Sequence, residues 1–482
     1  MKNFFLSLSI LFLFLQGFLH SEQQSNLDVY VDPLYWKKQA LEEIIPFWEK
    51  TVDKKDGGFF TDVSREGNIG LESGKYPRMI SRAIFGFSVA YLLSGDEKYL
   101  EFARNGLEYL TNYGWDRENG GWYEYVTGDK KPKISYKNLF DETYGNLGPI
   151  MYYFTTHDKN ALHFVEATHN LMQTKAWDNK FGGYYAYVNT DWGVASDQKS
   201  FNAEIDTCSA YLIYYYLATG NAKILKDLEQ IVDVVVKYMV NPETGFVGEY
   251  FTRDWKSLDP WLWVGHNLKT GWVMMRTYWL TGDKKYSEIA NKIAEAQLKY
   301  NWDSKYCGWY FQFRENDPGY NRDSKDWWTQ TEGNFLMLNL YRMTTNSEYL
   351  ERFKEGAYFW DKYIMDHQYK ECYTTTTRRG SVADSRKAHL YKSAYHSMEH
   401  ALFNYLYTGL YVNKGKVDLY FRLNSESDNE RHYVRIVEDP AVIIEGVEIN
   451  GKTWNKFSAK EGYIILPKGQ RIKTKVTFVV QE

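Results

Sequence analysis

The chain has 482 residues, and its 58 basic and 62 acidic residues leave a formal net charge of −4. Because the two signs are interspersed, the sequence has neither the basic patch of a nucleic-acid-binding protein nor the charged run of a membrane-surface protein. Its three cysteines are too few, and odd in number, for a disulfide framework. The length is sufficient for one large domain and one small domain.

An apolar run lies close to the N-terminus. Lys2 precedes apolar residues from Phe4 to Leu19, and a polar stretch begins at Ser21. A short basic start and an apolar segment too short to span a bilayer comfortably are typical of a secretory signal peptide. We therefore predict a signal peptide over residues 1–21, a periplasmic or secreted location, and no stable membrane insertion after cleavage. A retained membrane anchor is the alternative.

A short motif of Asp or Asn, a turn and an aromatic residue recurs at intervals of 62 or 63 residues. Its copies begin at Asp53, Asp116, Asp178, Asn241, Asp303 and Asp366, and the sixth copy has lost its glycine. A second marker, usually Thr-Gly, keeps nearly the same interval and begins at Ser94, Thr156, Thr219, Thr281, Thr345 and Thr408. Two independent markers in register indicate a protein of six repeats.

Each repeat contains two stretches with apolar residues at helical spacing, one on each side of the second marker. Six such helical hairpins can stack as an open solenoid or close into a ring. An open solenoid needs polar capping repeats at its ends, and the composition does not change in that way at the start of the array. We predict a mainly α (α/α)6 toroid over residues 27–412, in which a helix from Leu34 to Lys50 completes the outer ring.

The last part of the chain, residues 414–482, has a different pattern. Apolar residues alternate or run at strand spacing in several short segments, and Asn450-Gly451 is a tight-turn signal. We predict a small C-terminal all-β appendage that lies outside the mouth of the toroid. Its predicted role is structural, with sugar binding as the alternative.

Unusual polar and aromatic residues cluster near the predicted N-terminal ends of the inner helices. They are Arg82, Asp141, Tyr144, Asn202, Glu204, Asp206, His266, Lys269, Trp327, Trp328, Gln330, His396 and Glu399. In a closed toroid the six helix ends surround one mouth, and helix N-termini favour oxygen-rich ligands. The aromatic content of 18% suits a pocket that stacks sugar rings, although bulky side chains also fill a wide toroid. We predict a single central site.

One segment of the fifth repeat resembles a known family. Lys325-Asp-Trp-Trp-Thr-Gln-Thr-Glu332 is similar to the Lys-x-Trp-Trp-x-Gln-x-Glu stretch of the N-acylglucosamine 2-epimerase and cellobiose 2-epimerase family. Further matches are Gly265-His266, Tyr395-His396, Ser81-Arg82 followed by Phe87 to Tyr91, and Lys199-Ser-Phe-Asn202. The resemblance runs from about Trp36 to Tyr411, which is the whole helical array.

The resemblance implies a sugar 2-epimerase or an aldose–ketose isomerase that acts on a free mono- or oligosaccharide and needs no cofactor and no metal. It implies that His266 and His396 are the acid/base pair and that Arg82 lies near the carbonyl or enediolate oxygen. Imidazole suits this work because it titrates near neutral pH and can be base and then acid. The side chains that we expect to hold the sugar are Tyr144, Asn202, Glu204, Asp206, Lys269, Trp327, Trp328 and Glu399.

The sequence departs from the family pattern at several of these positions. Family members commonly have Glu three residues after the first histidine and Arg three residues after the second, whereas this chain has Lys269 and Glu399. We predict that these two side chains form an ion pair of reversed polarity; drift to another substrate, or loss of activity, is the alternative. Glu204 and Asp206 replace a histidine-rich stretch and add carboxylates to the predicted pocket.

Other functions fit parts of the sequence. A glycoside hydrolase or unsaturated-uronyl hydrolase on the same architecture would use carboxylates such as Asp141, Glu204 and Asp206. A catalytically silent glycan-binding protein would keep only the aromatic pocket. The segment from His396 to His400 also fits the H-x-x-E-H pattern of zinc proteases. No downstream glutamate stands out as a third ligand, so we predict no metal site.

Overall fold

The structure is a computed structural model that describes residues 27–70, 74–133 and 135–481. The predicted signal peptide, residues 1–21, lies outside these ranges. A short 3-10 turn, Asp28–Val31, precedes the helical array. Within the described ranges, none of the helices has both the length and the apolar character needed to cross a membrane.

In the part of the chain that the structure describes, six helices form an inner ring, and we number them in chain order. They are Pro77–Ser94, Leu139–Thr156, Phe201–Thr207 continued by Cys208–Leu212 and Ile213–Thr219, Val264–Thr281, Trp327–Thr344, and Tyr395–Tyr407 continued by Thr408–Val412. Five of them end in a left-handed residue that the second sequence marker supplies: Gly95, His157, Gly220, Gly282 and Thr345. Such residues suit this position because they free the chain to reverse direction after the last turn.

Six outer helical segments alternate with the inner helices. They are Pro33–Lys38 with Gln39–Ile44 and Ile45–Glu49, Glu97–Tyr109 with Leu110–Gly114, Lys159–Leu171 with Met172–Ala176, Ala222–Val234 with Val235–Met239, Lys284–Tyr300, and Ser347–Phe359 with Trp360–Ile364. The side chains of Asp96, Asp158, Asn221, Asp283 and Asn346 cap five of them by accepting a backbone N–H of the first turn.

The ring closes on itself, because the sixth inner helix packs against the first. A Cβ atom on Gly86 would lie 2.5 Å from the Ala394 side chain, so this contact leaves room only for glycine. The Ser393 hydroxyl donates to the Met79 carbonyl at 3.1 Å. Repeats in an open solenoid contact only their sequence neighbours. Direct packing between the first and last repeats is therefore the arrangement of the predicted (α/α)6 toroid.

A buried lysine–aspartate pair recurs where each hairpin loop meets an inner helix. The pairs are Lys75–Asp53 at 2.7 Å, Lys137–Asp116 at 3.1 Å, Lys199–Asp178 at 3.3 Å, Lys325–Asp303 at 3.1 Å and Lys387–Asp366 at 3.1 Å. In each pair the aspartate begins the repeated motif and also accepts backbone N–H groups of its own turn, as Asp116 does from Glu118 and Asn119. These pairs tie the loop of each hairpin to the chain that enters the inner ring.

Short antiparallel strands line the side of the toroid where the inner helices begin. They are Tyr125–Val126, Pro132–Lys133, Lys137–Asn138, Tyr187–Val188, Lys199–Ser200, Tyr250–Phe251, Trp261–Trp263, Gln312–Arg314, Asp317–Arg322, Lys325–Asp326, Thr375–Thr376 and Val382–Asp384. Several of them pair successive repeats, as Lys137–Asn138 does with Tyr187–Val188. The hairpins therefore form a rim around the N-terminal ends of the inner helices.

The C-terminal strands form two antiparallel sheets. One contains Val417–Ser425, Gly469–Val480, Val442–Ile449 and Lys452–Thr453 in that spatial order, and the other contains Glu430–Tyr433, Tyr463–Leu466 and Phe457–Ser458. Along Val417–Ser425 buried residues alternate with partly exposed ones, the pattern of a strand with one face on a core.

This β appendage packs on the side where the inner helices end. Arg276 of the fourth inner helix forms a fully buried ion pair with Glu438, and Arg342 of the fifth contacts Asp439 at 2.7 Å. The His157 ring contacts the Tyr433 carbonyl at 3.2 Å at the end of the second inner helix. The appendage thus lies away from the N-terminal helix ends, as predicted, and leaves that side as the mouth.

The second lysine–aspartate pair offers a test of how much these pairs stabilise the fold. Lys137→Leu leaves the buried Asp116 carboxylate without its cation, and we expect the free energy of unfolding to fall by about 3–5 kcal/mol. Adding Asp116→Asn should recover part of the loss, because the fourth repeat already has the uncharged residues Asn241 and Leu262 at the corresponding positions. Urea denaturation followed by circular dichroism measures both changes.

The matched control is Lys131→Leu. Lys131 pairs with Asp129 on the surface with 79% of its side chain exposed, so its loss should change stability little. If the Lys137 variant were as stable as this control, the buried pairs would not contribute the proposed free energy of unfolding.

Candidate active site

A cavity of about 800 Å³ opens at the N-terminal ends of the inner helices. Its volume lies within the range of small-molecule sites in proteins. Nine of the eleven predicted site residues line it: Arg82, Tyr144, Asn202, Asp206, His266, Lys269, Trp327, Trp328 and His396. All six repeats contribute to the lining, so the toroid brings side chains more than 300 residues apart to one space.

One ring of polar side chains comes from a single position of the repeat. The sixth residue of each of the first five inner helices is Arg82, Tyr144, Asp206, Lys269 and Glu332 in turn. Since these helices start at the same level, the five side chains lie at about the same depth. The spacing of 62 or 63 residues therefore predicts which residues meet.

His266 of the fourth inner helix is held from two sides. Its Nδ1 lies 2.6 Å from Oε2 of Glu249, and its ring stacks on Phe201 with 3.8 Å between the ring centroids. The other Glu249 oxygen accepts the Trp263 backbone N–H at 2.9 Å. With Nδ1 donating its hydrogen bond to this carboxylate, Nε2 is the ring nitrogen left to contact a ligand.

His396 of the sixth inner helix also has a carboxylate beside Nδ1, although this contact lacks hydrogen-bond geometry. Its Nδ1 lies 3.3 Å from Oε1 of Glu332, and the residue is 5% exposed. Burial lowers the pKa of His396 to about 4, against the opposing effect of Glu332. The imidazole is therefore neutral near pH 7 and able to accept a proton.

The two tryptophans of the fifth inner helix separate the histidines. The Trp328 ring lies 5.1 Å from the His266 ring and 6.2 Å from the His396 ring, measured between centroids. Trp327 lies 6.1 Å from His396. Flat aromatic faces next to both imidazoles are suited to holding the apolar face of a sugar ring between two proton-transferring groups.

Arg82 of the first inner helix supplies a buried positive charge to the cavity lining. Its Nη1 donates to the Tyr391 carbonyl at 2.6 Å, and its guanidinium lies 3.8 Å from the centre of the Tyr144 ring. Its Nε has no hydrogen-bond partner among the described residues. Burial lowers the pKa of Arg82. A desolvated guanidinium that lines the cavity is suited to stabilise a developing oxyanion.

The predicted ion pair between Lys269 and Glu399 is wrong. The Lys269 ammonium group instead contacts Oδ1 of Asp206 at 3.1 Å and Oε1 of Glu332 at 3.3 Å. Glu399 accepts a hydrogen bond from Tyr214 at 2.7 Å and lies outside the cavity lining. The reason is geometric: Asp206 and Glu332 occupy the same helical position as Lys269 on the two flanking inner helices, whereas Glu399 points at a deeper level of the ring.

Glu204 was predicted in the pocket, but it is a structural residue outside the lining. Its Oε1 accepts the Tyr184 backbone N–H at 2.6 Å, and the residue is fully buried. The fourth residue of three other inner helices binds the hairpin before it in the same way: Glu142 on Trp122, Asn267 on Val247 and Gln330 on Trp309. Because these residues recur at the repeat spacing, the sequence already contained the signal that Glu204 belongs to the scaffold.

The H-x-x-E-H segment does not bring its histidines together as a metal site would require. His400 contacts Asn334 at 3.0 Å and packs against Trp36 and Trp360, one turn deeper than His396. Among the described residues, no group of three His, Cys, Asp or Glu side chains has the geometry to hold a metal ion.

Sequence reasoning missed two residues of the site. Glu249, which contacts His266, comes two residues after Val247, which forms the β-bridge of the fourth hairpin with Val240. The residues at the same position of other repeats, Thr61, Phe311 and Thr374, line the cavity. This repeat position was the available signal. His389 lines the mouth from an insertion before the sixth inner helix, and burial lowers its pKa to about 3.

Comparison with known proteins identifies the family of this chain and agrees with its fold. Residues 58–399 match the model of the family described as N-acylglucosamine 2-epimerase (GlcNAc 2-epimerase). The cellobiose 2-epimerase of Bacteroides fragilis is 22% identical over 377 residues, covering 75% of this chain and 95% of that protein. The D-mannose isomerase of Marinomonas mediterranea is 24% identical over 383 residues, covering 74% and 93%.

A solved structure gives the same result for the fold. The cellobiose 2-epimerase of Bacillus thermoamylovorans has a TM-score of 0.73 and 21% identity, with 78% of this chain and 98% of that chain covered. At this identity the likeness concerns the fold alone. Since the family model spans more than half of the sequence, the chain belongs to the N-acylglucosamine 2-epimerase family and is a carbohydrate epimerase or isomerase.

Proposed function

We propose that this enzyme acts on the reducing end of a free mono- or oligosaccharide by removing the proton at C2 and passing through an enediolate. The observation that carries the proposal is the pair of histidines on one cavity, each with a carboxylate at Nδ1. His266 has Glu249 at 2.6 Å, and His396 has Glu332 at 3.3 Å. In both residues Nε2 is the nitrogen left for a substrate.

The proposed reaction needs only these groups. One imidazole Nε2 takes the C2 proton, the electrons of the C–H bond form the C1–C2 double bond, and the C1 oxygen becomes negative. Arg82 is placed to donate to that oxygen, which lowers the cost of the charge that develops there. To form the epimer, the second imidazole must enter the step protonated on Nε2; it gives that proton to the other face of C2, and the C1 carbonyl re-forms. To form the ketose, the first imidazole returns its proton to C1 while the C2 hydroxyl proton moves to the C1 oxygen.

Hydrolysis by paired carboxylates is less compatible with this site. Asp141 forms a buried ion pair with Arg78 at 2.5 Å, and Glu204 binds a backbone N–H outside the cavity. Asp206 forms an ion pair with Lys269 and accepts hydrogen bonds from Asn202 at 2.6 Å and from Tyr144 at 3.0 Å. The three carboxylates that favoured a hydrolase are thus engaged with protein partners.

The proposal is tested by proton exchange in heavy water. The purified enzyme is incubated with a panel of reducing mono- and disaccharides, and proton NMR follows loss of the C2 signal and the appearance of the epimer or ketose. We expect deuterium at C2 with at least one sugar. His266→Asn and His396→Asn should each slow the exchange by at least about 100-fold, the ordinary contribution of a general acid or base.

The matched control is His163→Asn, because His163 is exposed on an outer helix and lies outside the cavity lining. Its activity should equal that of the wild type. Release of new reducing ends without exchange would instead identify a hydrolase, and binding with neither reaction would identify a silent glycan-binding protein.

The pH dependence follows from the environment of His396. Burial lowers its pKa to about 4, so the neutral form that accepts a proton persists above that value and is lost as the pH falls through it. We expect kcat/KM for exchange to have an acidic limb near pH 4 that depends on His396. Circular dichroism at each pH separates this limb from unfolding. A limb at the ordinary histidine value of 6.5 that disappears in His396→Asn would contradict the assignment.

We also propose that the enzyme works outside the cytoplasm, because Lys2 and the apolar run from Phe4 to Leu19 have the pattern of a secretory signal. Immunoblots of cell fractions should find the mature chain in the periplasm or medium, and a variant lacking residues 2–21 should stay in the cytoplasm. Equal distribution of the two proteins would refute the assignment.

A further inference from the structure

Lys269 is a buried ammonium group at the floor of the cavity. Its side chain is 2% exposed, and its Nζ lies 3.1 Å from Asp206, 3.3 Å from Glu332 and 3.3 Å from the Tyr144 hydroxyl. Burial alone would lower the pKa of Lys269, but the two carboxylates outweigh it and raise the value well above normal. Lys269 is therefore charged, and it bridges two carboxylates from neighbouring inner helices.

One of these carboxylates is also the partner of His396. Oε1 of Glu332 lies 3.3 Å from both Lys269 Nζ and His396 Nδ1, while Oε2 accepts a hydrogen bond from Trp272 at 2.5 Å. Although burial opposes ionisation, Lys269 and His396 together lower the pKa of Glu332. The same carboxylate oxygen therefore connects the lysine to the imidazole.

Other charged groups near His396 come from every neighbouring element. Arg82 of the first inner helix acts in the same direction as Lys269 and disfavours the protonated imidazole. Glu399, one turn deeper on the same helix, has a pKa raised to about 7 by burial and by Glu332. The remaining titratable neighbours are Tyr144, Asp206, His389 and Tyr395. Glu332 is the group in direct contact with His396, and Lys269 is the cation in direct contact with Glu332.

We propose that Lys269 is a positioning residue for His396: it holds the Glu332 carboxylate beside Nδ1 and keeps the imidazole neutral. The catalytic use of His396 rests on the proposed function, whereas its protonation does not, and the test reads protonation directly.

The test is an NMR titration of the intact enzyme labelled with 13Cε1-histidine, with His396→Asn to assign the signal. Lys269→Met removes the cation, and the His396 midpoint should rise by about one pH unit or more, since one charge nearby commonly shifts a titration by that amount. Lys269→Arg keeps the charge and should leave the midpoint near the wild-type value.

A second variant keeps the test valid if Lys269→Met alone fails to fold. Lys269→Met combined with Asp206→Asn removes one charge of each sign, keeps Glu332, and should show the same upward shift. The matched control is Arg276→Met, which removes another fully buried cation from the same helix at the opposite end of the ring, where it pairs with Glu438. It should not move the His396 midpoint.

The outcomes separate the two proposals. If the His396 midpoint is the same in the wild type and in both Lys269→Met variants, Lys269 is only structural and the inference fails. If the midpoint shifts but no sugar exchanges its C2 proton, the inference holds and the proposed function fails. If both hold, the acidic limb of kcat/KM in Lys269→Met should move upward by the same amount.

Discussion

Five buried lysine–aspartate pairs define the geometry on which the site depends. Each aspartate caps the turn of a hairpin, and each lysine comes two or more residues before an inner helix, so the pair fixes the level at which that helix begins. A buried ion pair is stable only while both partners remain. The fourth repeat illustrates this rule, because both members are uncharged there, as Asn241 and Leu262. Neither buried charge is left without its partner.

Because the inner helices begin at a common level, equivalent positions of the repeat lie side by side around the cavity. Position six of the helix contributes Arg82, Tyr144, Asp206, Lys269 and Glu332 to one layer, while position four contributes residues such as Glu204 that bind the scaffold. Position six faces the cavity and position four binds the preceding hairpin, although the two positions are only two residues apart. The direction of the side chain on the helix, rather than its chemical type, decides which residues face the cavity.

The charge arrangement in the cavity also distinguishes this chain from the family pattern. Lys269 stands where a glutamate is common, and Asp206 stands in place of a histidine-rich stretch. These two departures compensate each other at 3.1 Å. In a low-dielectric cavity an unpaired charge at either position would be costly, so a change at one position favours a complementary change at the other. The ion pairs of Lys269 therefore include Glu332, the carboxylate beside His396.

The repeat period, the helical pattern within each repeat and the motifs around His266, Trp328 and His396 are all visible in the sequence. They determined the toroid, the position of the mouth and most of the lining, because a regular repeat places equivalent residues at equivalent levels. Only the tertiary structure decided the partners of individual charges. Lys269 could reach carboxylates on several helices, and its pairing with Asp206 and Glu332 rather than Glu399 depends on how the inner helices pack. The same reason explains Glu249: its repeat position places it near the mouth, but the packing of the hairpin against the helix decides its contact with His266.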